Sequence, residues 1–259
     1  MEVFKSRLVG KRVIALRTLE IELERPPGFT FKAGQYANVS FPVDYAEKEA
    51  YTRTLTISSA PYEKTITFIL RASESDFKKR VFRAQIGEEF EVEGPFGDFT
   101  LDGSESSQIL FIAGGMGISP FTSMIKDALF TGDMHDMRLL YICRRPEEAP
   151  FLRMFEAWDE LNDNFKFTPI MTRSENPANS TGERHEHMTE ELIAKYLPER
   201  YSDTIYIAIT ACRLTLRLLF LSAAMSVRCS FTTGRTVTSQ LRPVIAAIIF
   251  GPSPALSNS

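Results

Sequence analysis

The 259-residue chain sets 30 Lys and Arg against 33 Asp and Glu, a formal net charge of −3, and is long enough for one or two domains with ample core. That balance argues against a nucleic-acid groove or a polybasic membrane surface. The three cysteines, Cys143, Cys212 and Cys229, are too few for a four-thiolate iron–sulfur cluster and are not spaced for zinc. They read as reduced cytosolic thiols, so any electrons this chain moves must travel on an organic cofactor or a partner's metal. Lys5, Arg7, Lys11 and Arg12 lead into alternation rather than an apolar block, so no signal peptide is expected. The longest apolar runs, around Leu218–Leu221 and Val244–Phe250, are too short to span a bilayer. The expected location is cytoplasmic.

From Val3 to Phe99 the chain reads as short strands. Leu19-Glu-Ile-Glu-Leu23 alternates with period two and stops at Pro26-Pro27-Gly28. Gln35–Phe41, Tyr51–Ser58, Thr65–Leu70 and Glu88–Glu93 are further strand candidates, which together predict a closed antiparallel barrel. One helix interrupts them over Ser73–Arg83, with Ser75 or Asp76 as N-cap and Gly87 as stop. Two places in this half look chemical. In Tyr51-Thr-Arg-Thr-Leu-Thr-Ile-Ser-Ser59, Arg53 can pair with a phosphate, Leu55 can lie on a ring face and Thr56 can bond a ring edge; the same text also suits an ordinary amphipathic strand. Ser73-Glu-Ser-Asp-Phe-Lys78 is a helix start able to seat a phosphate or simply to cap, and Glu74 and Asp76 count against an anion there.

The stretch Ile109-Leu-Phe-Ile-Ala-Gly-Gly-Met-Gly-Ile-Ser-Pro120 turns a buried strand through three glycines into a helix. Phe121, Met124, Ile125, Ala128 and Leu129 fall at helical spacing, and Thr131-Gly132-Asp133 ends the run. Strand, glycine turn and helix N-terminus make an anion seat, because free N–H groups and the positive end of the helix dipole face the turn. Then follow strand Met137–Cys143, helix Glu148–Leu161, strand Phe165–Met171, helix Thr189–Tyr196 and strand Thr204–Ile209. This alternation predicts a mainly parallel sheet with its ligand crevice at the strands' C-terminal ends. Gly114, Gly115, Gly117, Ile118 and Ser119 lie at one such end, Arg144 and Arg145 at the next, and Thr172 at another. The paired arginines suit the 2′-phosphate of NADPH, or form a solvated turn partly neutralised by Glu147 and Glu148. His185 and His187, two residues apart with no cysteine or third histidine nearby, read as surface residues, and no metal is expected.

The ordered set Phe31-Lys-Ala-Gly-Gln-Tyr36, Arg53-Thr-Leu-Thr-Ile-Ser-Ser59, Gly94-Pro-Phe-Gly97, Gly114-Gly-Met-Gly-Ile-Ser-Pro120 and Leu140-Tyr-Ile-Cys-Arg144 resembles the ferredoxin–NADP reductase superfamily over residues 1 to about 209. The resemblance implies two domains: an antiparallel flavin barrel over 1–103 and an α/β parallel-sheet nucleotide domain over 104–209. It implies FAD as cofactor and NADPH or NADH as electron donor. Carried over, Arg53 binds the flavin's phosphate, Leu55 packs on the isoalloxazine and Thr56 contacts flavin N5 as the catalytic contact, with Thr54 and Ser59 in the same segment. Leu55 replaces a commoner tyrosine, losing aromatic stacking of roughly 0.5–1.5 kcal/mol. Ser75, Phe77 and Lys78 match the pyrophosphate-holding turn, which here lacks its usual glycine. Gly114, Gly115, Gly117, Ile118, Ser119, Pro120, Arg144, Arg145 and Thr172 would take the nucleotide.

The resemblance implies hydride transfer from nicotinamide to flavin, then single electrons to an acceptor such as ferredoxin. The alternatives are a flavin-binding electron-transfer subunit of a larger complex and a reductase of free flavin or ferric chelates. Past Ile209 the match stops. Residues Thr210–Ser259 contain no Asp, Glu, Lys or His, and their five basic residues are all arginine. Ala208 stands where the family carries a cysteine, Cys212 is out of register with it, and no Gly-Pro-x-x-Met helix start follows. The segment reads as a tail translated out of frame, against the plainer reading of a divergent extension, and β-strand Thr204–Ile209 is expected to be left as an incomplete edge.

Overall fold

A computed structural model describes residues 2–44, 48–101, 108–132, 135–173, 204–210, 226–229 and 249–250. The predicted helix over Thr189–Tyr196, both loop histidines and Cys212 lie outside the described residues. The first half forms β1 (Val3–Ala15), β2 (Thr18–Glu24), β3 (Tyr36–Ser40), β4 (Thr52–Thr56), β5 (Thr65–Arg71), α1 (Asp76–Arg83) and β6 (Glu89–Phe96). All pairings are antiparallel, in the order β4-β3-β6-β1-β2-β5. A bridge between Ile57 and Phe68, beside the bond from the Ser58 N–H to the Thr67 carbonyl (2.9 Å), brings the two ends of that order together.

Period-two alternation explains the interior. Leu19, Ile21 and Leu23 of β2 face inward with Ala37 and Val39 of β3, Ile66, Phe68 and Leu70 of β5 and Phe90 and Val92 of β6. Helix α1 covers this core with Phe77 and Val81, both fully buried. It starts at Asp76, later than the Ser73 read from sequence. Ser75 is extended (φ −67°, ψ 141°) and occupies the N-cap position, yet its hydroxyl makes no cap bond.

The second half forms β7 (Gln108–Gly114), α2 (Ile118–Thr131), β8 (Asp136–Cys143), α3 (Leu152–Leu161), β9 (Phe165–Met171), β10 (Thr204–Thr210), β11 (Ser226–Cys229) and β12 (Ile249–Phe250). The sheet order is β11-β10-β7-β8-β9 with every pair parallel, and β12 also pairs β10. The edge expected at Ile209 is therefore not bare, because β11 supplies backbone partners to Thr204–Ile207 and β12 to Ile209–Thr210. Gly132 ends α2 in the left-handed region (φ 73°). Helix α3 begins at Leu152 rather than Glu148. Ala149 precedes Pro150 and is forced extended (φ −98°, ψ 98°), and Phe151 then turns left-handed (φ 61°), so only a single 3₁₀ turn forms over Pro146–Glu148.

The two halves share one apolar seam. Along β5 the even positions enter the barrel core, while Ile69 turns out and joins Ala33 and Phe99 in the core of the second sheet. Gly34 makes this contact possible. A Cβ there would lie 2.1 Å from the Phe99 carbonyl oxygen and 2.3 Å from the Met124 methyl, and its φ of +98° is one that glycine alone adopts readily. Polar ties flank the seam: Ser123 Oγ donates to the Ser59 carbonyl (2.5 Å), Lys126 pairs with Glu63 (3.1 Å), and the Leu16 N–H donates to the Glu147 carbonyl (2.6 Å).

Candidate functional site

The barrel side of the site is built on β4. Its register sets Arg53 opposite Val39 and Leu55 opposite Ala37, so both lie on the face shared with the barrel interior. Leu55 is half-buried against that core. Thr54 and Thr56 take the other face, opposite Asn38 and Tyr36; the Thr54 hydroxyl donates to Asn38 Oδ1 (2.7 Å). Arg53 folds over its own turn, donating to the Thr52 carbonyl (2.5 Å) and, at 3.5 Å, to those of Glu49 and Ala50. These acceptors are all neutral backbone carbonyls. Ser59 is fully buried: its hydroxyl accepts the Thr67 N–H (3.1 Å) and its carbonyl is the one that receives Ser123.

The start of α1 completes a cationic cluster. Lys78 is half-buried, and burial first, then Arg53 and Arg71, lower its pKa. Among the described residues no carboxylate contributes to that balance. Of the two acids that sequence set against an anion here, Glu74 is turned to Lys79 at 3.0 Å, while Asp76 remains in the first turn of α1. Two buried polar atoms beside the cluster, Ser75 Oγ and Arg71 Nε, have no hydrogen-bond partner. Phe77 is core, its ring 5.7 Å from that of Phe41, so only its backbone is available to a ligand.

Arg71 escaped the sequence reading. Its signal was an arginine ending an otherwise apolar strand, where the outward side chain meets whatever packs on the sheet. It donates to the Glu148 carbonyl (3.1 Å) and stands 4.0 Å from the Glu148 carboxylate, and its charge is felt at Lys78, Tyr141 and Cys143. It thus stands between the barrel cluster and the second sheet. Tyr36 and Phe96 were also given no role. Tyr36 is the cross-strand neighbour of both Thr56 and Phe96, and the two rings lie 5.6 Å apart, forming an aromatic flank beside Thr56.

On the nucleotide side, Gly114 ends β7, and Gly115 takes φ +56° in a 3₁₀ turn through Gly117. β5 packs against this turn. Helix α2 follows with no side-chain cap and no acid in its first turn, leaving its positive end uncompensated. Ile118, Ser119 and Pro120 are buried, and the Ser119 hydroxyl donates to the Met116 carbonyl (2.9 Å). Pro120 in the first turn costs no helical bond. Arg144 and Arg145 extend β8 into solvent. Glu147 pairs with Arg145 at 3.8 Å and Glu148 is turned to Arg71, so neither carboxylate faces Arg144. The Thr172 N–H and hydroxyl both donate to the Cys143 carbonyl (2.8 and 3.3 Å), and the Arg173 N–H donates to that of Arg144 (2.8 Å). Arg173, which sequence reading passed over, therefore joins Arg144 and Arg145 at adjacent strand ends.

The residues assigned from sequence thus fall into two groups on either side of Arg71, and Ser59 and Phe77 turn their side chains into structure. A cleft of about 500 Å³ beside the Tyr36 flank is lined by Thr30, Phe31, Lys32, Gln35, Gly97, Asp98 and Thr100, none of them assigned from sequence. Among the described residues no three His, Cys, Asp or Glu side chains converge to hold a metal, and no helix is long and apolar enough to cross a membrane.

Residues 111–208 match the oxidoreductase NAD-binding domain family. The chain is 29% identical over 188 residues to the phenol hydroxylase P5 protein of Acinetobacter pittii, covering 71% of this chain and 51% of that protein. It is 29% identical over 180 residues to ferredoxin–NADP reductase B of Sorangium cellulosum, covering 66% of this chain and 71% of the relative. Several other curated relatives are named reductase components or subunits of monooxygenases, and the chain spans about half the length of most of these proteins. Among solved structures, a Neisseria gonorrhoeae ferredoxin NADP+ reductase with bound FAD and NADP superposes with a TM-score of 0.66 at 20% identity, covering 80% of this chain and 85% of that one. The two-sheet fold is the same. Over residues 1 to about 209 the chain thus shares the fold of the ferredoxin–NADP reductases and is similar to them in sequence, with an oxidoreductase NAD-binding domain match over 111–208.

Proposed function

We propose that this chain is a flavin-dependent NAD(P)H oxidoreductase, with an FAD-binding unit over 1–103 and a nucleotide-binding unit over 104–209. The observation that carries the reading is that Arg53 and Arg71 both bear on the half-buried Lys78, with Glu148 facing Arg71 at 4.0 Å as the countercharge, beside two buried atoms, Ser75 Oγ and Arg71 Nε, that have no partner among the described residues. Like charges held this way repel, and a phosphate anion relieves the repulsion while supplying acceptors for the orphan groups. FAD held there would supply the redox chemistry, hydride acceptance followed by one-electron release.

The chain's own residues bind and place. Arg53, Lys78 and the first turn of α1 hold the flavin's phosphates, Leu55 supports the ring, and the Thr56 hydroxyl offers a hydrogen bond at the reacting edge. The glycine turn and the uncapped start of α2 seat the nucleotide's pyrophosphate, and Arg144 and Arg145, with Arg173 beside them, meet its adenosine end. Placement of this kind supplies the rate enhancement without an acid or base. A protein acceptor such as ferredoxin or an oxygenase component fits the names of the relatives. Titrating the purified chain with FAD and following NADPH oxidation with a small one-electron acceptor tests the reading; failure to bind flavin overturns it.

A further inference from the structure

Tyr141 is fully buried, yet a phenylalanine would fill the same space without the cost of taking a hydroxyl out of water. What the hydroxyl does is specific. The parallel register sets Tyr141 beside Ala113 and Ile142 beside Gly114, which brings Cys143 level with Gly115. From there Tyr141 Oη donates to the Gly115 carbonyl at 3.3 Å, and the Cys143 sulfur faces the Tyr141 hydroxyl and the Gly115 N–H, both of which favour its thiolate. The Ile118 N–H also donates to the Gly115 carbonyl. Burial pushes the tyrosine well above its ordinary range and the thiol up to about 11, so both remain protonated.

Gly115, at φ +56°, has the freedom that makes glycine peptides prone to flip. A flip would swing its carbonyl oxygen, a partial negative charge, toward the anion that the turn is built to receive. We propose that Tyr141 is a positioning residue for the nicotinamide nucleotide, and that its hydroxyl latches the Gly115 carbonyl into the protein so that this oxygen stays turned away from a phosphate bound in the turn. This rests on the reading of the glycine turn as the nucleotide's pyrophosphate seat and adds the device that sets its polarity.

The test is equilibrium binding of NADP+ to the FAD-loaded chain and to Tyr141→Phe, which keeps the ring and its packing. Loss of one buried hydrogen bond weakens NADP+ binding by about five- to tenfold. The KM for NADPH rises in step, kcat at saturation holds, and FAD affinity does not move. Exchange of the Gly115 amide with solvent quickens in the variant. Cys143→Ser, which leaves the Tyr141 bond to the Gly115 carbonyl in place, retains NADP+ affinity within about twofold. Equal NADP+ affinity in wild type and Tyr141→Phe overturns the latch and leaves the nucleotide site standing, as does a fall in kcat with KM unchanged. A wild-type chain that binds FAD but not NADP+ overturns the nucleotide site, and the latch with it.

Discussion

Arg53 spends its guanidinium on three backbone carbonyls, and a ligand phosphate would offer it a charged acceptor instead. Arg53→Ala is therefore expected to weaken FAD binding by about 2–3 kcal/mol, as loss of a charge-assisted contact does; flavin retained at full affinity would remove Arg53 from the site. Lys78 adds a pH dependence. Burial, then Arg53 and Arg71, lower its pKa, and a bound phosphate raises it again. FAD affinity is full below the lowered value and falls as pH rises through it, whereas the ligand-free fold gains stability over that window because the unfolded chain holds the proton more tightly. Fluorescence titrations across the alkaline range should show this decline in the wild type and not in Lys78→Arg. Arg144 and Arg145 divide the nucleotides. Replacing both with alanine should cut NADPH affinity more than NADH affinity, and equal losses in binding titrations would make them a solvated turn.

At the scale of the element, β7, its glycine turn and α2 act as one device. Gly115→Val meets two obstacles. A β-branched side chain at φ +56° is strained by roughly 1–2 kcal/mol, and its methyls occupy the space a pyrophosphate needs. Nucleotide docking should be lost while the barrel keeps its flavin, because β4 and α1 lie in the other sheet. Isothermal titration with NADP+ checks the first half and the flavin spectrum the second; hydride transfer at an unchanged rate would mean that these glycines serve packing only. The late start of α3 belongs to this scale too. Ala149 and Phe151 leave the helical region, so the loop Pro146–Glu148 is free to dock on the barrel through the Leu16 N–H and Arg71.

For the whole molecule, electron transfer between two cofactors depends on how firmly one sheet sits on the other. Ser123 and Ser59 are buried at that seam, and Ser123→Ala leaves the Ser59 carbonyl without this donor. We expect a loss of about 1–2 kcal/mol, or roughly 2–8 °C in melting temperature for a chain of this size, read by calorimetry. No change would show the contact to be incidental. The segment after β10 gives a prediction of another kind. Our proposal that Thr210–Ser259 is read out of frame requires the coding DNA, in another frame, to present a Gly-Pro-x-x-Met-like helix start directly after Ala208. A coding sequence sensible only as given would make the tail a variant of the fold, with β11 and β12 its own contribution to the sheet.

Sequence alone determined whatever local chemistry dictates. Period-two alternation gave five of the six barrel strands and left β1 unassigned, unbroken apolar runs with helical spacing between them gave the parallel sheet, and β9 came out residue for residue because its one breaker, Pro169, lies on an edge strand that tolerates a missing N–H. Arg53, Lys78 and the Gly114–Gly117 turn, the residues proposed to meet phosphates, were legible because each sits near the start of a strand or helix or in the turn between the two. Tertiary structure alone decided the rest. That Ser59 and Phe77 turn inward depends on which face of each element meets the core. That Arg71 stands between the two groups depends on the docking of the Glu148 loop. The carbonyl that Tyr141 reaches lies 26 positions away. Contacts of this kind join residues far apart in the chain, and no pattern within a window of a dozen residues can carry them.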